Sequence, residues 1–396
     1  MIFMGVLFRK EQEEEILLHS TNGISNASNT FQWNMIDGIR ENIGQNLHIV
    51  NALPVGTWPT FYQKLFLDTK EWSFNDRSCY ELGGLNLPFL KQFVRYKKAH
   101  KVLKRLIKNE NEKEIIIYSA YMPFLKAVYK LPSRIKVSVI VTDLPEYYDL
   151  SCVSAIRKKL RSWQNKMIAK YMTRIDSFVL LTEQMKEPLR IGNRPYTVVE
   201  GICNVDCANC PDVESDSSDE KIILYTGTLH KVFGIANLIE AFMKIDDPSY
   251  RLWICGSGDM QQEVERAAQK DSRIVFWGYV SKQKINELQE KATVLVNPRQ
   301  NNEEYTKYSF PSKTMEYMMS GKPVVMYKLD GIPNDYEDYL CYVFGDTIND
   351  LRDKLVEVCS MPISDRERIG KQAKAFVSSH KNSKYQARKV LELFNQ

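Results

Sequence analysis

The chain has 396 residues, 44% of them hydrophobic and 26% charged, which excludes a disordered or fibrous protein and suggests two or three domains. No apolar run reaches the roughly 18 residues that span a bilayer, and the start, Met1 to Phe8, reads as a first buried strand rather than a signal peptide. The net charge of +5 is the sum of +10 over residues 1–199 and −5 over residues 200–396, so the first half is the one suited to an anionic partner.

Strands are predicted at 1–8, 47–52, 114–119, 136–142, 177–181 and 196–200, with basic helices between them. Asn22-Gly23-Ile24-Ser25-Asn26, continuing to Thr30, is a run of small polar residues between the first strand and a helix. It reads as a binding loop or as a plain surface loop. Residues 89–108 contain eight Lys or Arg, Lys91 and Arg95 among them, and no acid; Phe89, Leu90, Phe93, Leu103 and Leu106 recur there at helical spacing. A second basic run, Arg157 to Arg174, carries Trp163 and Met167. Basic amphipathic helices lie on anionic membrane surfaces, while a solvated face is the plainer reading of either one. No nucleic-acid-binding motif accompanies the charge. Asp143, at the end of the strand at 136–142, is a candidate site residue or a turn cap.

A polar linker is predicted at 203–219. It opens with Cys203, Cys207 and Cys210, spaced C-x3-C-x2-C as in radical enzymes that hold an iron–sulfur cluster with S-adenosylmethionine. The mid-chain position, Asn209 before the last cysteine and the polar sequence that follows favour free cysteines at a domain junction.

Beyond the linker, strands at 221–226, 250–255, 273–277, 293–296 and 323–326 alternate with helices at 234–246, 259–270, 281–291 and from about Pro311. That alternation predicts a doubly wound parallel sheet, with ligands at the carboxyl ends of the strands. The fold expected is α/β, two Rossmann-like domains with parallel sheets facing a cleft. The domains are 1–202 and 220–383, and the last helix, about 384–396, is free to pack back on the first.

The loops after those strands carry the chemistry. Gly227-Thr228-Leu229-His230-Lys231 leads into a helix, and Gly256-Ser257-Gly258-Asp259 is a second glycine turn in which Asp259 is a candidate helix cap. The most informative segment is Asn297-Pro298-Arg299 followed by Tyr308-Ser309-Phe310-Pro311-Ser312-Lys313-Thr314-Met315-Glu316. Ser309 or Ser312 would cap a helix whose free N–H groups, with Lys313, attract phosphate. Glu316, one turn in, suits paired hydroxyls. Phosphate and paired hydroxyls together describe a nucleoside diphosphate; an amphipathic helix with a solvated glutamate is the alternative.

In their order these loops resemble the retaining glycosyltransferases of family 4, of the bacterial surface-polysaccharide type, which have the GT-B fold. The likeness runs over about 220–345, through the Gly227 loop, Gly256-Ser257-Gly258, Phe276-Trp277-Gly278-Tyr279-Val280 and Met315-Glu316 to Pro323-Val324-Val325. The resemblance implies transfer of a sugar from a nucleotide-diphosphate donor to a glycan or lipid-linked acceptor hydroxyl, with retention; the two basic runs add the expectation of a cytoplasmic protein peripheral to the membrane. It places Gly227, Thr228, Lys231 and Gly256 by the sugar and diphosphate, and Trp277, Tyr279 and Val280 by the base. Ser309, Phe310, Pro311, Ser312 and Lys313 fall at the phosphates, and Glu316 at the ribose. Asp143, Lys231 and Glu316 are the candidate catalytic residues, and Asn22, Gly23, Ser25 and Asn26 the acceptor side. No D-x-D pair occurs, in keeping with the expectation of no metal and no cofactor. The chain departs from the family at Tyr308, where a first glutamate is usual, and at Thr228 and Phe233, where Arg and Lys are usual. Those departures leave a second reading, a non-catalytic nucleotide- or partner-binding protein; a radical S-adenosylmethionine enzyme is the third.

Overall fold

The computed structural model describes every residue except 22, 23, 25, 45, 46, 75, 76, 145–154, 204–219, 302 and 303, and no side chain at 77 or 155–157. The chain divides into two units, Met1–Ile202 with Ser383–Gln396, and Cys203–Asn382.

The strands of the first unit are β1 (Ile2–Gly5), β2 (His48–Asn51), β3 (Phe66–Leu67), β4 (Lys70–Phe74), β5 (Arg77–Glu81), β6 (Gly84–Leu85), β7 (Glu114–Tyr118), β8 (Lys136–Val141), β9 (Ser177–Leu180) and β10 (Tyr196–Val198). Eight of them form one sheet in the order β10-β9-β8-β7-β1-β2-β5-β4, while β3 and β6 pair separately. The central strands are apolar and buried on both faces, as a parallel sheet covered by helices requires. The sheet is not wholly parallel, because β4 runs antiparallel to β5 at its edge. That hairpin escapes the sequence pattern: Lys70-Glu71-Trp72-Ser73-Phe74 mixes charge and aromatic residues and has no apolar run.

The second unit holds β11 (Lys221–Thr226), β12 (Tyr250–Cys255), β13 (Ile274–Gly278), β14 (Val294–Asn297), β15 (Val324–Tyr327) and β16 (Cys341–Val343). Their order is β13-β12-β11-β14-β15-β16, with every pair parallel. Helices Ile235–Met243, Gln261–Lys270, Lys282–Lys291 and Ser312–Met319 alternate with the first five strands. Helices Ile348–Ser360 and Ile363–His380 follow β16.

The chain then returns to the first unit. Helix Ser383–Glu392 lies on helix Asn26–Ile43, and Ala387, Val390, Leu393 and Phe394 join Phe3, Met35 and Ile39 in its core. Gly38 permits this close approach, since a Cβ there would sit 2.0 Å from the Ser383 carbonyl oxygen.

Of the three clustered cysteines, Cys207 and Cys210 lie outside the described residues, as does the rest of the expected linker. Cys203 belongs to the second unit. It is buried, its Sγ donates to the Val377 carbonyl at 3.0 Å, and burial pushes its thiol up to about 11. Among the described residues no three His, Cys, Asp or Glu side chains meet as a metal site, and no helix is long and apolar enough to cross a membrane.

Helix Leu90–Asn109 differs from its sequence reading. Tyr96, Ala99, Leu103 and Leu106 are buried, so most of the apolar stripe serves the core, and only Phe89, Leu90 and Phe93 at its start stand exposed. Lys91 and Arg95, expected on a solvated face, are buried. Lys91 Nζ donates to the carbonyls of Val55 and Gly56, and Arg95 to the Leu53 carbonyl at 2.8 Å and the Tyr121 hydroxyl at 2.9 Å. The two basic side chains thus hold the segment after β2 by its carbonyls.

Burial, helped by the neighbouring Arg95, drives the Lys91 ammonium down to about 6 from its ordinary 10.5. Between those values the unfolded chain binds the extra proton, so this lysine makes stability rise with pH from about 6 towards 10.5; below about 6 it contributes no slope. In urea unfolding of wild type and Lys91→Met across that range, the rise is expected to be steeper in wild type. Equal slopes would contradict the assignment.

Candidate functional site

In the second unit the loops after β11, β12, β13 and β14 gather at the carboxyl edge of the sheet, where ligands of doubly wound sheets bind. They pack backbone on backbone. Gly256 (φ +139) lies so close to the β11 loop that a Cβ would meet the Gly227 carbonyl oxygen at 1.8 Å; at Gly234 (φ +78) it would meet the Pro298 carbonyl oxygen at 2.2 Å. Thr228 and Lys231 are exposed above this layer. Asp259 does not cap a helix. It accepts from the Lys231 backbone N–H at 3.1 Å and faces His230 Nδ1 at 3.2 Å, fastening the β12 loop to the β11 loop; the helix begins later, at Gln261.

At the edge strand β13, Trp277 packs edge-on to Trp253 and lies under Lys284 Nζ, 5.3 Å from the ring centre. Gly278 turns the chain at φ +65, Tyr279 projects with 86% of its surface exposed, and Val280 is half-buried. An open tyrosine ring beside a turn offers stacking surface for a flat ligand group.

Helix Ser312–Met319 supplies the rest. Pro311 is its N-cap, not a first-turn residue, and no side chain caps it. Neither serine acts as the expected cap: Ser312 opens the helix, exposed, and Ser309 Oγ accepts from Arg299 at 2.9 Å. The free N–H groups of the first turn therefore remain available to an anion. Phe310 and Pro311 are buried, with Phe310 against Tyr336. Lys313 is not a free charge, because its Nζ binds Glu316 Oε2 at 2.9 Å. Buried Gln289 reaches Glu316 Oε1 at 3.5 Å.

Two further residues shape this edge and were absent from the candidate site. Tyr317 is fully buried, and its hydroxyl accepts from the Thr226 backbone N–H at 2.9 Å and donates to the Thr226 carbonyl at 2.7 Å. It ties the helix to the end of β11. Arg299 is buried just beyond β14, its guanidinium 5.7 Å from the Phe233 ring centre and 4.9 Å from that of Tyr305. No carboxylate pairs with it among the described residues, and its Nε has no partner. The sequence contains both residues but no signal for their burial.

Residues 220–360 match the profile of a family described as Glycosyl transferases group 1. An uncharacterized glycosyltransferase of Methanocaldococcus jannaschii is 33% identical over 118 residues, a span of 29% of this chain and 29% of that protein. Two solved structures share the fold. The Anabaena protein HepE in complex with UDP superposes with a TM-score of 0.64 at 13% identity, covering 100% of this chain and 99% of HepE. A variant of S. aureus TarM in complex with Fondaparinux, alpha-GlcNAc-glycerol and UDP superposes with a TM-score of 0.55 at 15% identity, covering 79% of this chain and 60% of TarM. The architecture is the α/β, Rossmann-like GT-B fold of glycosyltransferase structures.

Within the matched span, the β11, β12 and β13 loops and the start of helix Ser312–Met319 converge on one edge, with Glu316 one turn in. Tyr308, the departure from the expected glutamate, is half-buried at the end of a short 3-10 helix, Glu304–Tyr308. In the first unit Asn22, Gly23 and Ser25 lie outside the described residues, while Asn26 opens helix Asn26–Ile43. Asp143 follows β8 and accepts from the Thr142 hydroxyl at 3.2 Å. Burial pushes its carboxyl above the ordinary range and outweighs that hydrogen bond; the residue keeps solvent access, so the carboxyl is crowded by protein rather than sealed from water.

Tyr317→Phe leaves the Thr226 backbone N–H and carbonyl without their buried partner. It should cost about 1–3 kcal/mol in urea unfolding.

Proposed function

We propose that this protein is a glycosyltransferase that moves a sugar from a nucleotide-diphosphate donor to an acceptor hydroxyl with retention of configuration, in the synthesis of a cell-surface or lipid-linked glycan. The observation that carries the reading is the uncapped start of helix Ser312–Met319 with Glu316 one turn in, held to β11 by Tyr317. The family match and the UDP in the HepE and TarM structures support it.

In this reading Ser309 to Lys313 receive the diphosphate through the helix N–H groups, and Glu316 accepts from the ribose hydroxyls. Trp277, Tyr279 and Val280 hold the base; Gly227, Thr228, Lys231 and Gly256 face the sugar and its phosphate. Arg299 takes the part of the lysine absent at Phe233: a buried guanidinium with no acidic partner is suited to an incoming phosphate. Charge on the leaving diphosphate is met by these groups without a metal. The leaving phosphate takes the acceptor proton, so no protein nucleophile is required. On the acceptor side Asp143 positions the acceptor hydroxyl, and the segment with Asn22, Gly23, Ser25 and Asn26 borders the acceptor. Peripheral contact with an anionic membrane surface is assigned to exposed Phe89, Leu90 and Phe93 and to exposed Leu160 and Trp163 with Lys158 and Lys159.

The test is calorimetry and nucleotide release with a panel of nucleotide sugars, UDP-sugars first. Glu316→Ala and Arg299→Met should each weaken nucleoside diphosphate binding about tenfold to a hundredfold. Arg299→Met should leave binding of the bare nucleoside unchanged, which a merely structural arginine would not. Binding without any turnover favours the second reading, a nucleotide-binding protein, which the non-acidic Tyr308 keeps in view; failure to bind any donor sinks both.

The raised carboxyl of Asp143 sets the pH dependence. Transfer to acceptor should climb with pH through that elevated value as the carboxylate forms. In Asp143→Asn the climb should vanish and acceptor transfer fall about a hundredfold, while donor hydrolysis stays. An unchanged pH profile would remove Asp143 from the site.

A further inference from the structure

A cavity of about 640 Å³ opens within the first unit, between the segment after β1, the start of helix Asn26–Ile43 and the edge strand β4. Its size is that of small-molecule sites. One wall is aromatic. Trp72 and Phe74 are two apart on β4 and so share a face, and they meet Trp33 of the helix; the ring centres are 5.8 Å apart for Trp72 and Phe74 and 5.6 Å for Trp33 and Phe74. All three rings are half-buried. The β4–β5 hairpin, the one antiparallel element of this sheet, is what brings two of them here.

The rim is polar and electrically balanced. Arg9 and Lys10 stand with Glu11 and Glu13, and the Arg9 guanidinium is already paired with Glu11 at 2.6 Å while lying over Trp72, 5.0 Å from its ring centre. Asn26 and Thr30 add neutral hydrogen-bonding groups. A phosphate or a nucleotide would find no uncommitted buried cation here. An acyl chain would strip water from the rim without returning its hydrogen bonds. A sugar ring fits both surfaces: its C–H faces cover indole and phenyl rings, and its hydroxyls exchange hydrogen bonds with carboxylates, amides and cations.

We infer that this cavity binds a neutral saccharide and is the site that holds the acceptor glycan; its acceptor role rests on the transferase reading above. It also narrows that reading. The first half is strongly basic, yet the balanced rim selects an uncharged glycan, leaving the excess positive charge for other surfaces.

The test uses the full chain and three neutral probes, maltotriose, lactose and diacetylchitobiose, followed by saturation-transfer NMR and calorimetry, with UDP in parallel. Two variants are compared. Trp72→Ala removes part of the aromatic wall. Thr30→Trp fills the cavity from an exposed position and takes nothing from the core, so it remains informative if Trp72→Ala fails to fold. At least one probe should bind wild type at about 10 mM or below and weaken about tenfold or more in each folded variant, with UDP binding unchanged. Binding of no probe to wild type, or binding indifferent to both variants, overturns the proposal. A protein that binds saccharide here but never releases nucleotide from a donor overturns the transferase reading alone. One that turns over donor and binds no saccharide overturns this inference alone.

Discussion

The hydrogen bonds between the Tyr317 hydroxyl and the backbone of Thr226 organise the second unit's candidate site. Helix Ser312–Met319 has only eight residues, too few to hold its own position by helix propensity. Its apolar face, with Met315 and Met318, supplies adhesion but little orientation. The buried hydroxyl supplies direction, because it must satisfy both its donor and its acceptor at the end of β11. With the helix so placed, its free N–H groups and Glu316 share the edge with the glycine loops of β11 and β12. Those loops reach that edge because Gly256 and Gly234 lie against neighbouring carbonyls that no Cβ would clear.

Buried basic side chains recur in the chain with different consequences. Lys91 and Arg95 spend their donors on carbonyls and a tyrosine hydroxyl, so they fasten a segment of the first unit and leave little for a ligand. Arg299 bonds Ser309 and Tyr305 and otherwise lies among aromatic rings, with no carboxylate beside it among the described residues. A charge buried without an opposite charge is costly. At Lys91 the cost appears as an ammonium that gives up its proton easily. An arginine has no such escape in the usual pH range, and its unmatched charge is what makes Arg299 suited to an anionic ligand.

How much could be seen in advance depended on whether the signal was local. The first five strands of the second unit and the helices between them follow from apolar runs and turn glycines, because a parallel sheet buried on both faces writes itself as continuous hydrophobic stretches. The β4–β5 hairpin did not, since an edge strand buries one face at most. Asp259, Ser309 and Ser312 depart from their sequence pattern for a related reason. A short polar side chain before a helix reads as a cap, but each has a tertiary alternative: Asp259 a neighbouring loop, Ser309 a buried arginine, and Ser312 a place inside the helix behind Pro311. Helix Leu90–Asn109 showed its amphipathic pattern faithfully, yet periodicity cannot say whether an apolar stripe meets a sheet or a membrane.

The sequence by itself determined the α/β alternation, the parallel sheet of the second unit, the loops that border its carboxyl edge and the likeness to a glycosyltransferase family. These depend on residues near one another in the chain. Only the tertiary structure decided that the last helix closes the first unit's core, that Cys203 is a buried thiol bonded to the Val377 carbonyl, that Tyr317 and Arg299 stand behind the start of helix Ser312–Met319, and that Trp33, Trp72 and Phe74 wall one cavity. Each of those facts joins residues far apart in sequence. What brings them together is the burial of side chains whose polar atoms must find partners wherever the packed fold provides them.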